Sequence, residues 1–107
     1  MSFLAGNGNG TFKAKQVTMT VANTPNALAI ADFNLDGKLD VANGNSAGNN
    51  VGFAYGDGKG TFPLIVGYVA GTNPLAVVAV DLNKDNKPDL VAGNNASHDI
   101  NVLLNNL

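Results

Sequence analysis

The segment DFNLDGKLD at residues 32–40 recurs 49 residues later as DLNKDNKPD at residues 81–89. Both copies fit the pattern Asp-x-Asn-x-Asp-[Gly/Asn]-Lys-x-Asp, which places oxygen-bearing side chains at positions 1, 3, 5 and 9 and a turn residue at position 6. The chain has eight acidic residues, all of them Asp, and six lie inside these two windows. Acidic residues scattered for solubility would not cluster in this way.

The two acidic segments carry the donor atoms of a calcium loop. Hard cations such as Ca²⁺ prefer six to eight oxygen ligands, which a short loop supplies by curling around the ion. Three carboxylates so close together repel one another unless a cation or protons intervene. We therefore expect about two Ca²⁺ ions per chain. The ligands would be the side chains of Asp32, Asn34, Asp36 and Asp40, then Asp81, Asn83, Asp85 and Asp89, with the backbone carbonyls of Lys38 and Lys87 at position 7.

Three other interpretations of these segments stay open at this point. Asp and Asn also hydrogen-bond their own backbone in turns that hold no ion. An EF-hand would need a bidentate Glu at position 12, where the chain has Asn43 and Ala92, and its flanks would be helices rather than strands. Mg²⁺ fits less well, because it usually retains several waters and a loop this rich in ligands leaves little room for them.

The charge and hydropathy of the chain exclude several classes of partner. Its net charge is −2, with six basic residues that are all Lys, so it offers no basic face for nucleic acid or an anionic membrane. No apolar run approaches the roughly 18 residues of a membrane span. We expect neither nucleic-acid binding nor membrane insertion.

The residue types that enzymes use for catalysis are scarce. The chain has no Cys, no Glu and one His, which leaves little for acid–base or nucleophilic chemistry. Ser97, His98 and Asp99 have the names of a catalytic triad, but consecutive strand residues point to opposite faces and cannot relay a proton. We expect a protein that is not an enzyme.

The whole chain is an internal repeat with a period near 50 residues. GNGNGTF at residues 6–12 matches GDGKGTF at 56–62, and PNALAIAD at 25–32 matches PLAVVAVD at 74–81. A fixed period of this size indicates an array of supersecondary units. Hydrophobic periodicity predicts four strands per unit, at 17–21, 27–33, 39–43 and 51–55 and again at 64–70, 75–82, 89–93 and 100–104. Four strands in about 50 residues is the repeat of a propeller blade, so the predicted class is all-β with two four-stranded antiparallel blades.

These ordered motifs, each present twice, resemble the FG-GAP/VCBS repeat family, the blades of integrin α-chain-like β-propellers. The resemblance implies Ca²⁺ bound in the loop that joins the innermost strand of a blade to the next strand outward. It also implies an extracellular or cell-surface location. In the second loop, Asn86 and Pro88 replace the Gly and the unconstrained residue of the family pattern. Since Asn tolerates the left-handed turn conformation, we expect this site to be retained.

Two blades are too few to close a propeller within one chain. We place the repeats at about residues 12–55 and 62–104, with residues 2–11 as a surplus strand and linker. Single-chain propellers have roughly four to eight blades, and an open pair would expose apolar faces and strand edges. We therefore expect a homo-oligomer, either a trimer with six blades or a tetramer with eight. In the strand order of the family the last blade lacks its fourth strand, which residues 12–21 of a neighbouring chain would supply.

The predicted function is that of a calcium-binding, non-catalytic scaffold with a protein or glycan ligand. The alternative is a carbohydrate-binding lectin with sites between blades, because some relatives in the resembled family are lectins of that kind. Tyr55 and Tyr68 are the best candidates for stacking on a sugar. We assign Phe12, Phe33, Phe53 and Phe62 to packing between blades.

Overall fold

The described part of the chain, in a computed structural model, comprises residues 1–14, the backbone of 17–18 and residues 23–107. It contains strands and no helix, which confirms the predicted all-β class. The predicted strand at 17–21 lies partly outside these residues. The strands are β1 (Ser2–Phe3), β2 (Val17–Thr18), β3 (Pro25–Ala31), β4 (Asp40–Asn45), β5 (Asn50–Tyr55), β6 (Leu64–Val69), β7 (Pro74–Val80), β8 (Asp89–Asn94) and β9 (Asp99–Leu103).

The strands form three antiparallel sheets. Sheet I has the order β3-β4-β5-β6, sheet II has the order β7-β8-β9, and β1 pairs with β2. Each larger sheet is a meander in which consecutive strands are neighbours, as in a propeller blade. The sheets are offset from the repeat limits predicted at 12–55 and 62–104, because β6 pairs with β5 and so ends sheet I instead of starting sheet II.

The alternation of side chains along β3 sets the two faces of sheet I. Ala27, Ala29 and Ala31 turn towards sheet II, whereas Leu28 and Ile30 point away from it and are exposed. Successive strand residues point to opposite faces, so a run of apolar residues covers both sides of the sheet. Such a strand needs a neighbour on each face, and among the described residues a whole sheet covers only the alanine side.

The core lies between sheets I and II. The rings of Phe33 and Phe53 meet edge to face with centroids 4.9 Å apart, and both residues are buried as predicted. Phe62 packs with Met1 against Ala54 on the far face of sheet I. Phe12 is 67% exposed, so within the single chain it does not take part in packing between blades. Phe62 rests on a complete sheet, whereas Phe12 follows the two-residue strand β1, which offers no such surface.

Candidate metal-binding loops

Two loops of the same backbone conformation join the innermost strand of each sheet to the second. Residues 32–39 connect β3 to β4, and residues 81–88 connect β7 to β8. Position 4 of each loop has a positive φ, 60° at Leu35 and 62° at Lys84. Position 6 is also left-handed, with φ of 82° at Gly37 and 64° at Asn86. Asn86 therefore takes the turn conformation predicted for it, and the second loop keeps the shape of the first.

The side-chain oxygens of the first loop gather on its own backbone N–H groups. The Asp32 carboxylate accepts hydrogen bonds from the N–H groups of Asp36 and Gly37 at 3.0 and 2.8 Å. Asn34 Oδ1 accepts from the Asp36 N–H at 3.1 Å, and Asp36 Oδ1 accepts from the Lys38 N–H at 2.9 Å. The second loop repeats these contacts at 2.9–3.2 Å through Asp81, Asn83, Asp85, Asn86 and Lys87.

The carboxylate at position 9 of each loop is buried, unlike those at positions 1 and 5. Asp40 is fully buried, and its Oδ2 accepts a hydrogen bond from the Phe33 N–H at 2.9 Å. Asp89 is buried in the same way and accepts from the Leu82 N–H at 2.9 Å. Each of these carboxylates thus ties the first residues of its loop to the start of the following strand.

The carboxylate at position 5 stays charged near neutral pH. Partial desolvation raises the pKa of Asp36, but the Lys38 N–H hydrogen bond and the Lys38 ammonium group outweigh it and hold that pKa below its usual value. Desolvation likewise raises the pKa of Asp85, but the hydrogen bonds and the charge of Lys87 outweigh it and lower that pKa. The two ammonium groups lie 3.5 and 3.3 Å from their carboxylates. A cation arriving at either loop therefore meets an ionised carboxylate whose present partner is a surface lysine.

The donor set of each loop fits a hard cation, because it consists only of carboxylate, amide and carbonyl oxygens. Its arrangement is that of a turn whose oxygens are satisfied by local N–H groups. Across the described residues, no three acidic, His or Cys side chains surround a common point. In both loops the oxygens at positions 1 and 3 accept hydrogen bonds from the N–H of position 5, whereas the carboxylate at position 9 accepts from the N–H of position 2.

An apolar cavity of about 560 Å³ opens between sheets I and II. Tyr68 meets the ring of Phe53 edge to face, with centroids 5.5 Å apart, and the Tyr55 ring lies nearly parallel to that of Phe53, with centroids 6.3 Å apart. Burial raises the pKa of Tyr55, so its hydroxyl stays protonated at neutral pH. The two tyrosines singled out in the sequence therefore line one site, together with Phe33, Phe53, Leu90 and Leu103.

Asn105 is a linking residue that the sequence pattern did not reveal. Its N–H donates to Asp89 Oδ1 at 2.8 Å, and its Nδ2 donates to the carbonyl oxygens of Phe33 and Pro88 at 2.7 and 3.2 Å. It thereby joins the base of the second loop to the first. Its spacing in the sequence could have identified it. Asn105 lies 49 residues after Gly56, and the Gly56 N–H donates to Asp40 as the Asn105 N–H donates to Asp89.

In the part of the chain that the structure describes, no helix has the length and apolar character needed to cross a membrane.

The model of the FG-GAP-like repeat family matches residues 1–43 and 32–92. Comparison with curated proteins and with solved structures gave no significant match. FG-GAP repeats are typical of extracellular proteins, and they build β-propeller-type modules. With matched segments that span residues 1–92 and sheets arranged as blades, the chain belongs to the FG-GAP-like repeat family.

Proposed function

We propose that this chain is a calcium-binding, non-catalytic β-propeller module that serves outside the cell as a structural or interaction scaffold. One observation carries the calcium assignment. Two loops with the same donor types hold left-handed residues at positions 4 and 6, although the residue at position 6 changes from Gly37 to Asn86. A turn that needed only its own N–H groups would not require three carboxylates.

Calcium would act here mainly on one hairpin of each sheet. Extracellular calcium modules have dissociation constants of about 10⁻⁴–10⁻³ M. At 1 mM free Ca²⁺, each site would then stabilise the folded state by about 0.4–1.4 kcal/mol. This is small beside the total stability of about 5–15 kcal/mol that is usual for a domain, so the fold forms without the ion and is tightened by it.

Isothermal titration of the full chain with CaCl₂ tests this function. The expected result is uptake of about two ions per chain in the affinity range of extracellular modules, with weaker binding of Mg²⁺. The double variant Asp36→Ala/Asp85→Ala should show neither heat nor uptake. Wild-type protein that takes up no Ca²⁺ at millimolar concentration would overturn the assignment.

We further propose that the module self-associates, because sheet II has one strand fewer than sheet I in the described chain. Strand β6 covers the outer edge of β5, whereas the outer edge of β9 has no partner strand among the described residues. An open edge of this kind recruits another strand. Residues 12–21 of a second copy, only partly described, are the sequence counterpart of β6. A trimer or a tetramer would close the ring, and light scattering measures which mass is present.

A carbohydrate-binding role is the second candidate, and the cavity between the sheets favours it. Tyr55 and Tyr68 line this cavity, and aromatic side chains of this type have the flat apolar surface on which sugar rings stack. A glycan array in millimolar calcium should give binding that Tyr68→Ala removes and that a change at exposed Thr72 leaves intact. An array without any bound glycan would eliminate this candidate and leave the scaffold role standing.

A further inference from the structure

The first three strands of sheet I and the three strands of sheet II share one register, so each position of β7–β9 has a counterpart in β3–β5. Ala29 pairs with Ala42, which pairs with Phe53. In sheet II, 49 residues further on, Val78 pairs with Val91, which pairs with Val102. We call the face with these residues the A face and the opposite face the B face. The A faces carry Ala27, Ala29, Ala42, Val51 and Phe53 in sheet I and Ala76, Val78, Val91, Ile100 and Val102 in sheet II; the B faces carry Leu28, Ile30, Val41 and Ala54 in sheet I and Val77, Ala79, Leu90 and Leu103 in sheet II.

Within one chain, the A face of sheet I packs on the B face of sheet II. The buried cluster between the sheets joins Val51 and Phe53 of the first to Val77 and Leu90 of the second. Val51 is 0% and Phe53 is 6% exposed as a result. This contact shows which two faces of the repeat fit each other.

The other two faces are apolar and largely uncovered in the described chain. On the A face of sheet II, Ile100 is 69% and Val102 is 50% exposed, although they occupy the positions of Val51 and Phe53. On the B face of sheet I, Ile30 is 61% exposed. Each free face therefore has the composition of a face that is buried elsewhere in the same molecule.

We propose that the A face of sheet II docks on the B face of sheet I of a second copy of this chain, in the manner of the contact between the two sheets. This inference rests on the self-association proposed above and assigns its surfaces and its direction. The occupant is a second copy because only the repeat itself is known to fit these faces. The contact joins different surfaces of the two copies, so it is heterologous, and it forms a ring when the rotation closes.

In the unassembled chain, the N-terminal strand β1 lies over part of this docking surface, the B face of sheet I. Phe3 contacts Phe62 edge to face at 6.2 Å, and Phe62 packs on Ala54 of the B face. Phe3 also pairs with Val17 as Phe53 pairs with Val66, so β1 stands where the third strand of a preceding blade would lie. Strand β9 of a docked copy would take that place beside β2. Displacement is feasible because, among the described residues, β1 pairs with β2 at only two positions.

A pair of complementary variants tests the direction of the contact. Val102→Asp places a charge on the A face of sheet II, and Ile30→Asp places one on the B face of sheet I. Each variant alone should be monomeric by light scattering. Mixed in equal amounts they should form a heterodimer and nothing larger, because the first retains its B face and the second its A face. Leu107→Asp, a charge at an exposed apolar residue outside both faces, should associate like the wild type.

The outcomes separate this proposal from the function on which it rests. A wild-type chain that is monomeric at every concentration refutes self-association itself. Wild-type association that both variants retain, or that only one of them loses, overturns the head-to-tail surfaces alone. Far-UV circular dichroism and urea denaturation of each variant check that it is folded. If Val102→Asp does not fold, Val102→Thr and Ile100→Ser should weaken association in the same experiment.

A variant of β1 should strengthen association, whereas the variants of the two docking faces weaken it. Phe3→Ala removes a contact that exists only before assembly, so it should strengthen association by about 2- to 10-fold, the equilibrium equivalent of one aromatic pair. Analytical ultracentrifugation over a concentration series measures this shift. Weaker association of Phe3→Ala would show that β1 belongs to the assembled interface and would overturn its displacement by β9.

Discussion

Asp40 accepts a hydrogen bond from the backbone N–H of Gly56 at 2.8 Å, across 16 residues of chain. Its second oxygen accepts from the Phe33 N–H, so one buried carboxylate holds both ends of a three-stranded unit. Asp89 forms the same bridge between Leu82 and Asn105. The residue at position 9 of each loop is therefore a structural acceptor, whether or not it also contacts an ion.

This arrangement predicts that Asp40→Asn is destabilising even without calcium. The amide would turn one N–H donor towards another, and leaving a buried N–H unsatisfied costs about 1–3 kcal/mol. Urea denaturation in chelator measures the loss. Asp36→Asn, at the exposed top of the same loop, is the matched control and should change little. Equal losses for the two variants would contradict the structural role of Asp40.

Asp36→Ala should lower the melting temperature in calcium and hardly change it in chelator. The variant removes a proposed ligand whose other contacts are the N–H and ammonium groups of Lys38 at the surface. Asp57→Ala is the control, because Asp57 stabilises a turn outside the loops through Thr61 and should act equally in both buffers. Thermal melts of both proteins with and without calcium make the comparison. A loss for Asp36→Ala that is independent of calcium would refute its role as a ligand.

Gly56→Ala should destabilise the fold by about 1–3 kcal/mol, the usual effect of forcing extra volume into a packed site. A Cβ at Gly56 would collide with the backbone carbonyl oxygen of Leu39, which cannot swing aside. Gly6 lies at the same position of the preceding repeat, yet a Cβ there meets no heavy atom within 4 Å. Gly6→Ala is therefore the matched control and should be tolerated. Chemical denaturation of the two variants checks the difference.

The turn at Asp57 should make stability depend on pH in the acid range. The Thr61 hydroxyl and the Lys59 N–H lower the pKa of Asp57 from 3.8 to about 2. Because the folded-state pKa is depressed, this stabilisation is present above pH 3.8 and is lost as the pH falls from 3.8 to about 2. Thr61→Val should raise the pKa of Asp57, as measured by NMR titration, and should flatten the pH dependence of stability in that window.

Thr11→Val is the control for this pH effect. Thr11 stands at the position of Thr61, and its Oγ1 accepts a hydrogen bond from Nδ2 of Asn7, an amide that does not titrate, at 3.0 Å. Its loss should lower stability by the same amount at every pH. A similar pH profile for the two threonine variants would contradict the assignment to Asp57.

The strands could be predicted because short-range periodicity determines them. The alternation of Ala27, Leu28, Ala29 and Ile30 marks a strand with two apolar faces, and the strand is found within two residues of its predicted limits. Short-range periodicity does not determine which sheet a strand joins. Residues 64–69 begin the second sequence repeat and yet pair with residues 50–55; local periodicity does not assign them to that sheet, whereas the family strand order, which leaves the last blade without its fourth strand, does.

The sequence predicted which oxygen donor atoms the two loops contain, but it did not predict the hydrogen bonds that these atoms make. Spacing identified the oxygen donors, and the left-handed φ of Asn86 followed from the known tolerance of Asn. The burial of Asp40 could not be foreseen, since its N–H partner on Gly56 is brought near only by the pairing of β4 with β5. The contact of Asn105 with the Phe33 carbonyl likewise depends on how the two sheets are juxtaposed.

The common register of the two sheets bears on how such a protein can grow. Since residue n and residue n + 49 occupy the same register position in their sheets, an in-frame duplication of one such segment would add a blade and leave both ends of the array unchanged. No new contact surface would have to arise, because each added blade would pack on its neighbour through the existing contact between an A face and a B face. Genes of this kind can lengthen by copying alone.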